Sequence, residues 1–262
     1  MNSIFLRRSI PSLIRLCSRS TSSNFGLTNR ERKRFYKQVS IVESSQSPTK
    51  YEILLDQRKL KTPLGNIITI ENELLALSIA QEWNQQMKKI DLSSMHMNSL
   101  INTVIDNPLK LTKTQLIDKI MYFLDWDTLL YRCDYPEEFK QLQTESWDPL
   151  LKYLVKKSDR NIMEKYLANF DVPSLTIFLF IVEQLKSIFL TISLIKQFQP
   201  VEDIATLSRL ETEFQISRWT NVEYHHDYEL LDIRSKISAA YLIFYCLNNN
   251  VTSTVLSKEK LQ

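Results

Sequence analysis

The sequence predicts an α+β fold, in which a small β-rich N-terminal domain is followed by a mostly α-helical C-terminal domain. Apolar side chains alternate along part of residues 34–70, for example at Tyr51, Ile53 and Leu55, which is typical of strands with one buried face. From residue 72 onward the apolar side chains recur every three or four positions, which is typical of amphipathic helices. Because 44% of the residues are apolar and 10% aromatic, a disordered chain is excluded.

Four segments are expected along the chain of 262 residues. Residues 1–30 have the composition of a removable leader, and residues 251–262 form a polar tail that we expect to fray. Between them we expect an α+β domain at 31–105 and a helical domain at 106–250, without an internal repeat.

The leader is rich in arginine and serine and contains no Asp or Glu. Its arginines and its apolar residues lie on opposite sides of a helical wheel, which is typical of a mitochondrial transit peptide; the alternative is a disordered basic tail. Without it, 28 basic and 30 acidic residues remain, so the net charge changes from +3 to −2. A mildly acidic body argues against nucleic-acid binding. Two isolated cysteines after residue 30 suit the reducing mitochondrial matrix and no disulfide framework.

The β-rich segment is followed by a predicted helix near 72–88. Asn72 is a suitable N-cap, and an apolar stripe recurs every fourth residue from Leu75 to Met87. A second helix is expected to open with a capping box formed by Thr112 and Gln115 and to continue to Tyr131.

Prolines and apolar runs define the later helices. Pro136 and Pro149 each suit the first turn of a new helix, and Asp148 is a ready cap for the second. Residues 174–198 are strongly apolar, but Glu183 and Lys186 interrupt them, which favours a buried helical hairpin over a membrane span. Further helices are expected at 204–219 and 232–247.

The scarcity of glycine excludes several classes of enzyme. The chain contains only 2 glycines, where average usage would give about 18, and only Gly65 lies outside the leader. Phosphate-binding loops, dinucleotide-binding turns and the nucleophile elbow of serine hydrolases all need several glycines. No nucleotide cofactor is therefore expected.

The acidic and histidine residues do not form a recognisable catalytic or metal site. His225 and His226 are adjacent and therefore point to different sides, while His96 is far away in sequence. Asp125 and Asp127 are two residues apart and do not face each other on a helix. Neither a metal nor a catalytic dyad is expected.

Asp127 has a structural interpretation instead. We expect its carboxylate to reach Tyr131 or Arg132. A globular body with no cofactor motif and no metal constellation favours an interaction protein over an enzyme.

Seven short motifs occur in an order that resembles one known family, the mitochondrial F1-ATPase assembly factor 2 family. The resemblance covers about residues 33–247, and one departure is Thr220, where the family usually has glycine. The motifs are RFYK at 34–37, LDQRKLKTP at 55–63, EWNQQ at 82–86, DTLLYR at 127–132, QTESWDPL at 143–150, SRLE at 208–211 and VEYHHD at 222–227.

The resemblance implies a non-enzymatic chaperone of the mitochondrial matrix. Such a protein would bind the unassembled alpha subunit of the F1 head of ATP synthase and shield its interface until the beta subunit replaces it. It would need no cofactor and is expected to be monomeric when free. The residues expected to bind the partner are Glu223, Asp227, Glu229, Asp232, Glu82 and Trp83.

Two alternatives remain open at this point. One is a matrix enzyme with a composite acidic and histidine site between the two domains, using Asp125, Asp127 and His226. The other is a permanent subunit of an inner-membrane complex. For the acidic stretch that begins at Glu223, a solvated face or internal pairing with Arg234 is the alternative to partner binding.

Overall fold

The computed structural model describes residues 32–45, 47–154 and 160–249. The predicted transit peptide and the predicted frayed tail therefore lie outside the described residues. The α+β fold class is confirmed, because a small antiparallel sheet is followed by a series of helices.

The sheet is built around one long strand. Strand β2 (Ser47–Leu55) pairs antiparallel with β1 (Val39–Ser44), and the short strands β3 (Arg58–Lys59) and β4 (Thr69–Ile70) also pair with β2. The predicted alternation is present, because Ile53 and Leu55 are buried.

One charged side chain of β2 is buried, although the polar side chains of this strand are expected to face solvent. Glu52 is buried, and its carboxylate accepts a hydrogen bond from Ser44 Oγ at 2.7 Å and pairs with Lys59 Nζ at 2.6 Å. These two partners compensate the loss of water around the carboxylate and lower its pKa.

Helix α1 (Glu73–Asn84) packs on the sheet and begins at the predicted cap. The Asn72 side-chain oxygen accepts a hydrogen bond from the Leu75 N–H. The Asn72 amide donates to the carbonyl oxygens of Cys246 and Asn249, both at 3.3 Å, so this cap also holds the end of the last helix. The helix ends four residues before the predicted position 88.

Nine further helices occur in the described part of the chain. The nine helices are α2 (His96–Asp106), α3 (Lys113–Tyr122), α4 (Glu137–Leu154), α5 (Arg160–Leu167), α6 (Val172–Leu185), α7 (Ile188–Ile195), α8 (Val201–Ser208), α9 (Leu210–Trp219) and α10 (His225–Asn248). A short 3₁₀ helix at Thr128–Leu130 lies between α3 and α4.

Helices α6 and α7 form the predicted buried hairpin. Every residue of 177–183 in α6 and of 188–194 in α7 is buried. Helices α2, α3 and α10 pack against α6, while α4 and α8 pack against α7. No helix in the described part of the chain is long and apolar enough to cross a membrane.

Besides the end of α1, the start of the helix predicted at 232–247 is wrong, because α10 begins seven residues earlier, at His225. Three further predicted helix boundaries are also wrong. The capping box at Thr112 is present, but its helix ends at Tyr122 and does not reach Tyr131. Pro149 lies inside α4, because Trp147 and Leu150 on either side of it are buried and packing maintains the helix.

The third wrong boundary lies near the end of the chain. The helix expected at 204–219 is divided into α8 and α9 at Arg209. Asp148, which was expected to cap a helix at Pro149, pairs instead with Arg132, with 2.7 Å between Oδ1 and Nη2.

The buried carboxylate of Asp127 connects the segment after α3 to the hairpin. Its Oδ2 accepts hydrogen bonds from the N–H groups of Ile188 at 2.7 Å and Phe189 at 3.3 Å, at the start of α7. Its Oδ1 accepts from the Leu129 N–H at 3.0 Å. The expectation that Asp127 reaches Tyr131 or Arg132 is wrong, because a buried helix N-terminus offers donors that no other group satisfies.

We expect Asp127→Asn to change the pH dependence of stability. Burial raises the pKa of Asp127 from 3.8 to about 6 in the folded protein. The stability that this carboxyl contributes is therefore fully present at low pH and is lost as the pH rises from about 4 to above 6, by about 3 kcal/mol in total. The variant lacks this titration, so its stability relative to the native protein should rise by up to that amount between about pH 4 and about pH 7.

Urea unfolding at a series of pH values measures this difference. Asp125→Asn is the control, since Asp125 is only two residues away but is exposed. A difference between Asp127→Asn and the native protein that does not depend on pH would contradict the prediction.

Candidate partner-binding surface

Helix α10 has two halves with opposite environments. Its buried residues begin at Ile237 and continue to Cys246, where the helix packs against α6. Its first three turns, from His225 to Lys236, contain no buried residue. The beginning of α10 and the connection from α9 therefore lie at the protein surface.

Large apolar side chains are concentrated on this surface. Trp219 is 74% exposed, Tyr224 78% and Tyr228 72%. Val222 and Leu231 are exposed as well. We call these five residues the aromatic surface. Exposed apolar side chains close together, bordered by polar groups, are typical of protein-interaction sites.

The aromatic surface is bordered by acidic residues. Residues 219–232 contain four acidic residues and neither Lys nor Arg. All four are among the residues that the sequence predicted to bind the partner, namely Glu223, Asp227, Glu229 and Asp232.

The structure places these four carboxylates in different surroundings. Glu223 is exposed and has no hydrogen bond or ion pair to any described residue. Asp227 is also exposed, and its Oδ1 accepts a hydrogen bond from the Asn221 amide at 3.1 Å. Asp232 pairs with Lys236 one turn later. Its negative charge also acts on His96: burial lowers the pKa of this imidazole, and the Asp232 carboxylate opposes that shift.

Glu229 belongs to an ion-pair network centred on a buried arginine. Arg209 lies at the junction of α8 and α9 and pairs with Glu229 at 3.0 Å and with Glu213 at 3.3 Å. It also contacts the His226 carbonyl oxygen at 3.4 Å. Arg209 thereby fixes the first turn of α10 relative to α9. None of these four acidic residues pairs with Arg234 within the described part of the chain. Glu229 and Asp232 do pair internally, but with Arg209 and Lys236.

The connection between α9 and α10 contains a strained residue. Thr220 has φ 68° and ψ 159°, a conformation that is almost restricted to glycine. This is the position at which the resembled family usually has glycine. A branched side chain in this conformation destabilises the connection locally.

Trp83 is buried and Glu82 is half-buried, and both lie in the N-terminal part of the chain, outside the aromatic surface. The Glu82 carboxylate accepts hydrogen bonds from the N–H groups of Met97 at 2.9 Å and Asn98 at 2.8 Å, in the first turn of α2. Burial raises its pKa, and these two bonds oppose the shift. The Trp83 indole donates to Asn98 Oδ1 at 3.1 Å, and its carbonyl accepts from Tyr36.

The composite acidic and histidine site does not form a hydrogen-bonded cluster among the described residues. Asp125 pairs with Arg160, Asp127 caps α7, and His226 Nδ1 lies 2.9 Å from the Asn221 side chain. Within the same residues, no three His, Cys, Asp or Glu side chains are placed to hold a metal ion.

Comparisons with known proteins agree with the family that the sequence motifs resemble. Residues 33–155 match a family model described as ATP12 chaperone protein. The chain is 27% identical to the mitochondrial protein atp12 of Schizosaccharomyces pombe over 226 residues, which cover 75% of this chain and 78% of that protein. It is also 27% identical to the mitochondrial protein ATP12 of Saccharomyces cerevisiae, with 81% and 85% covered. The chain belongs to the ATP12 chaperone family.

A solved structure confirms the fold of this ATP12 family member. The crystal structure of Atp12 from Paracoccus denitrificans superposes with a TM-score of 0.68 at 24% identity. The match covers 82% of this chain and 98% of the bacterial one. The α+β arrangement is therefore shared by a protein with little sequence identity.

The family model and the aromatic surface cover different parts of the chain. The matched residues 33–155 include Glu82 and Trp83, whereas residues 219–232 lie outside them. The sequence predicted the acidic residues as binding residues, which stays a prediction, but it did not predict the aromatic surface. The available signal was the spacing of Trp219, Val222 and Tyr224, which is too irregular for a buried helix face.

Two glutamates from the predicted set should differ strongly in their effect on stability. We expect Glu82→Ala to lower the free energy of unfolding by about 1–2 kcal/mol, because two N–H groups of α2 lose their acceptor. Glu223→Ala should change it by less than about 0.5 kcal/mol, because this side chain is exposed. Denaturant unfolding of both variants measures the difference, and equal effects would show that this assignment of Glu82 is wrong.

Replacing Thr220 should stabilise the protein. We expect Thr220→Gly to raise the free energy of unfolding by about 1 kcal/mol, because glycine adopts this conformation without steric strain. Thr114→Gly, in the exposed part of α3, is the matched control and should lower it. Thermal unfolding of the two variants should show shifts of opposite sign, and a lower melting temperature for Thr220→Gly would contradict the prediction.

Proposed function

We propose that this ATP12 family member is an assembly chaperone of the mitochondrial ATP synthase. It binds the unassembled alpha subunit of the F1 head and shields its interface until the beta subunit replaces it. The proposal rests on family membership, which supports a chaperone, and on the motif resemblance described above for the choice of the alpha subunit.

The observation that supports the proposal best is the aromatic surface between α9 and α10. A subunit of an obligate ring exposes a large apolar interface and aggregates until that interface is covered. A chaperone can cover it with exposed aromatic side chains of its own, such as Trp219, Tyr224 and Tyr228. The chaperone must also dissociate, which favours a limited surface at one end of a helix.

The acidic residues at the edge of the surface add charge selectivity. We infer that Glu223 and Asp227 contact basic groups of the alpha subunit, because both side chains are exposed and neither belongs to an ion pair among the described residues. Charges at the rim of an interface mainly accelerate encounter and fix orientation. For Glu229, Asp232, Glu82 and Trp83, direct contact with the partner stays a prediction.

The same proposal includes the location and the mode of action. We infer that the protein acts in the mitochondrial matrix, since two relatives are named as mitochondrial and the N-terminal 30 residues have the composition of a transit peptide. It acts without catalysis, by binding and release, and is monomeric when free.

Charge reversal at the edge of the surface tests this proposal. We expect Glu223→Lys combined with Asp227→Lys to weaken binding to the alpha subunit at least about tenfold, because two favourable charge contacts become repulsive. Asp118→Lys, an exposed charge reversal on α3, is the matched control and should bind normally. Titration calorimetry with the isolated alpha subunit, or the suppression of its aggregation, gives the readout.

The apolar contribution is measured with a second pair of variants. Tyr228→Ser should reduce the suppression of aggregation, whereas Leu64→Ser, which removes a similarly exposed apolar group from a distant loop, should not. Normal melting temperatures would show that the variants are folded. If all four variants fold and protect the alpha subunit equally well, this surface is not the binding site.

A further inference from the structure

A second surface is as strongly basic as the beginning of α10 is acidic. Residues 32–34 run antiparallel to residues 88–90, with hydrogen bonds from Ile90 N to the Arg32 carbonyl at 2.8 Å and from Arg34 N to the Lys88 carbonyl at 3.0 Å. This pairing brings two cationic segments together. We call the resulting patch the basic surface, and its members are Arg32, Lys33, Arg34, Lys37, Lys88 and Lys89.

Arg34 makes the basic surface rigid. Its guanidinium donates to the carbonyl oxygens of Tyr36 and Lys37, both at 3.1 Å, and to those of Asn84 and Gln86 beyond the end of α1. All four acceptors are neutral, so Arg34 keeps its full positive charge in this position. The patch is therefore built from ordered backbone and does not depend on a flexible loop.

Like charges face each other across this pairing. Lys33 and Lys89 are directly opposite in the antiparallel bridge, which is unfavourable in a folded protein. Two acidic side chains lie next to these segments and keep their negative charge. Asp56 accepts from the backbone N–H groups of Gln38 and Lys37, which lower its pKa, and the charges of Lys37 and Arg34 lower it further. Asp91 accepts from Ser93. The local charge stays clearly positive in a body that is otherwise slightly acidic.

Two apolar side chains project from the same surface. Phe35 is 65% exposed and follows Arg34, and Met87 is 82% exposed and precedes Lys88. Met87, together with Lys33, Lys88 and Lys89, lines a shallow open depression of about 910 Å³. Exposed apolar groups surrounded by lysine and arginine are typical of peripheral membrane attachment, in which cations meet lipid phosphates and apolar groups enter the headgroup region.

We propose that the basic surface docks this protein on an anionic phospholipid bilayer. Arg32, Lys33, Lys37 and Lys88 contact lipid phosphates, while Arg34 holds the backbone in place. Phe35 and Met87 insert at the level of the headgroups. Several cations near such a surface together support reversible binding that salt weakens. Attachment at this surface leaves the aromatic surface, which is made of other elements, available to a protein client.

Vesicle co-sedimentation tests the proposal with protein purified from mitochondria, whose N-terminus is sequenced to exclude a contribution from residues 1–30. The protein should bind vesicles of phosphatidylcholine with about 30 mol % phosphatidylglycerol at low salt, and bind vesicles of pure phosphatidylcholine far more weakly. The triple variant Lys33→Glu, Lys88→Glu, Lys89→Glu should lose at least about tenfold in affinity. Its matched control is Lys119→Glu, Lys140→Glu, Lys152→Glu, which reverses three exposed lysines on α3 and α4 and should lose less.

Further measurements separate this proposal from the proposed function. Met87→Ser should weaken vesicle binding without changing the charge, and the Lys33, Lys88 and Lys89 variant should still suppress aggregation of the alpha subunit. Equal binding to both kinds of vesicle, or equal loss in the two triple variants, would overturn the lipid proposal. If vesicles do not bind but the triple variant at the basic surface loses an acidic protein partner, the surface takes a polypeptide and the lipid proposal is wrong.

Discussion

The apolar stretch at residues 172–195 must be covered on every side, and the positions of the other helices follow from this requirement. Helix α6 is buried along most of its length, and α7 almost completely. The two together are too apolar for any face to meet water, so α2, α3, α4, α8 and α10 surround them. The polar ends of these helices then need partners inside the protein, which is why the buried carboxylate of Asp127 caps α7.

The sequence alone predicts the helix starts that depend only on neighbouring residues. Asn72 and the pair Thr112 and Gln115 satisfy backbone N–H groups within three residues, so their capping roles can be predicted without knowing the rest of the fold. The boundaries at Pro149 and Arg209 could not be predicted in this way. A helix continues through Pro149 because of tertiary packing by Trp147, and one ends at Arg209, whose side chain reaches residues up to 20 positions away.

The candidate binding residues also differ in whether their surroundings can be predicted from the local sequence. For the acidic stretch, exposure of Glu223 and Asp227 follows from a charged, irregular sequence, and the structure agrees with it. The environment of Glu82 depends on α2, which begins 14 residues later and presents its first turn to the carboxylate. A glutamate that caps a distant helix and one that is free in solvent look alike in a single sequence. The aromatic surface was missed because exposure of Trp219 and Tyr228 depends on where the core ends along α10.

The hydrogen bonds of Asn72 determine when the fold can be completed. This residue joins the start of the first helix to carbonyl groups 174 and 177 positions further along the chain. A polypeptide delivered to its compartment with the N-terminus first cannot make these bonds until residues 246 and 249 have arrived. Until then α1 and α2 lack the helix that packs against them, and their apolar faces are exposed to solvent. A member of a chaperone family thus passes through an aggregation-prone stage of its own before it is complete.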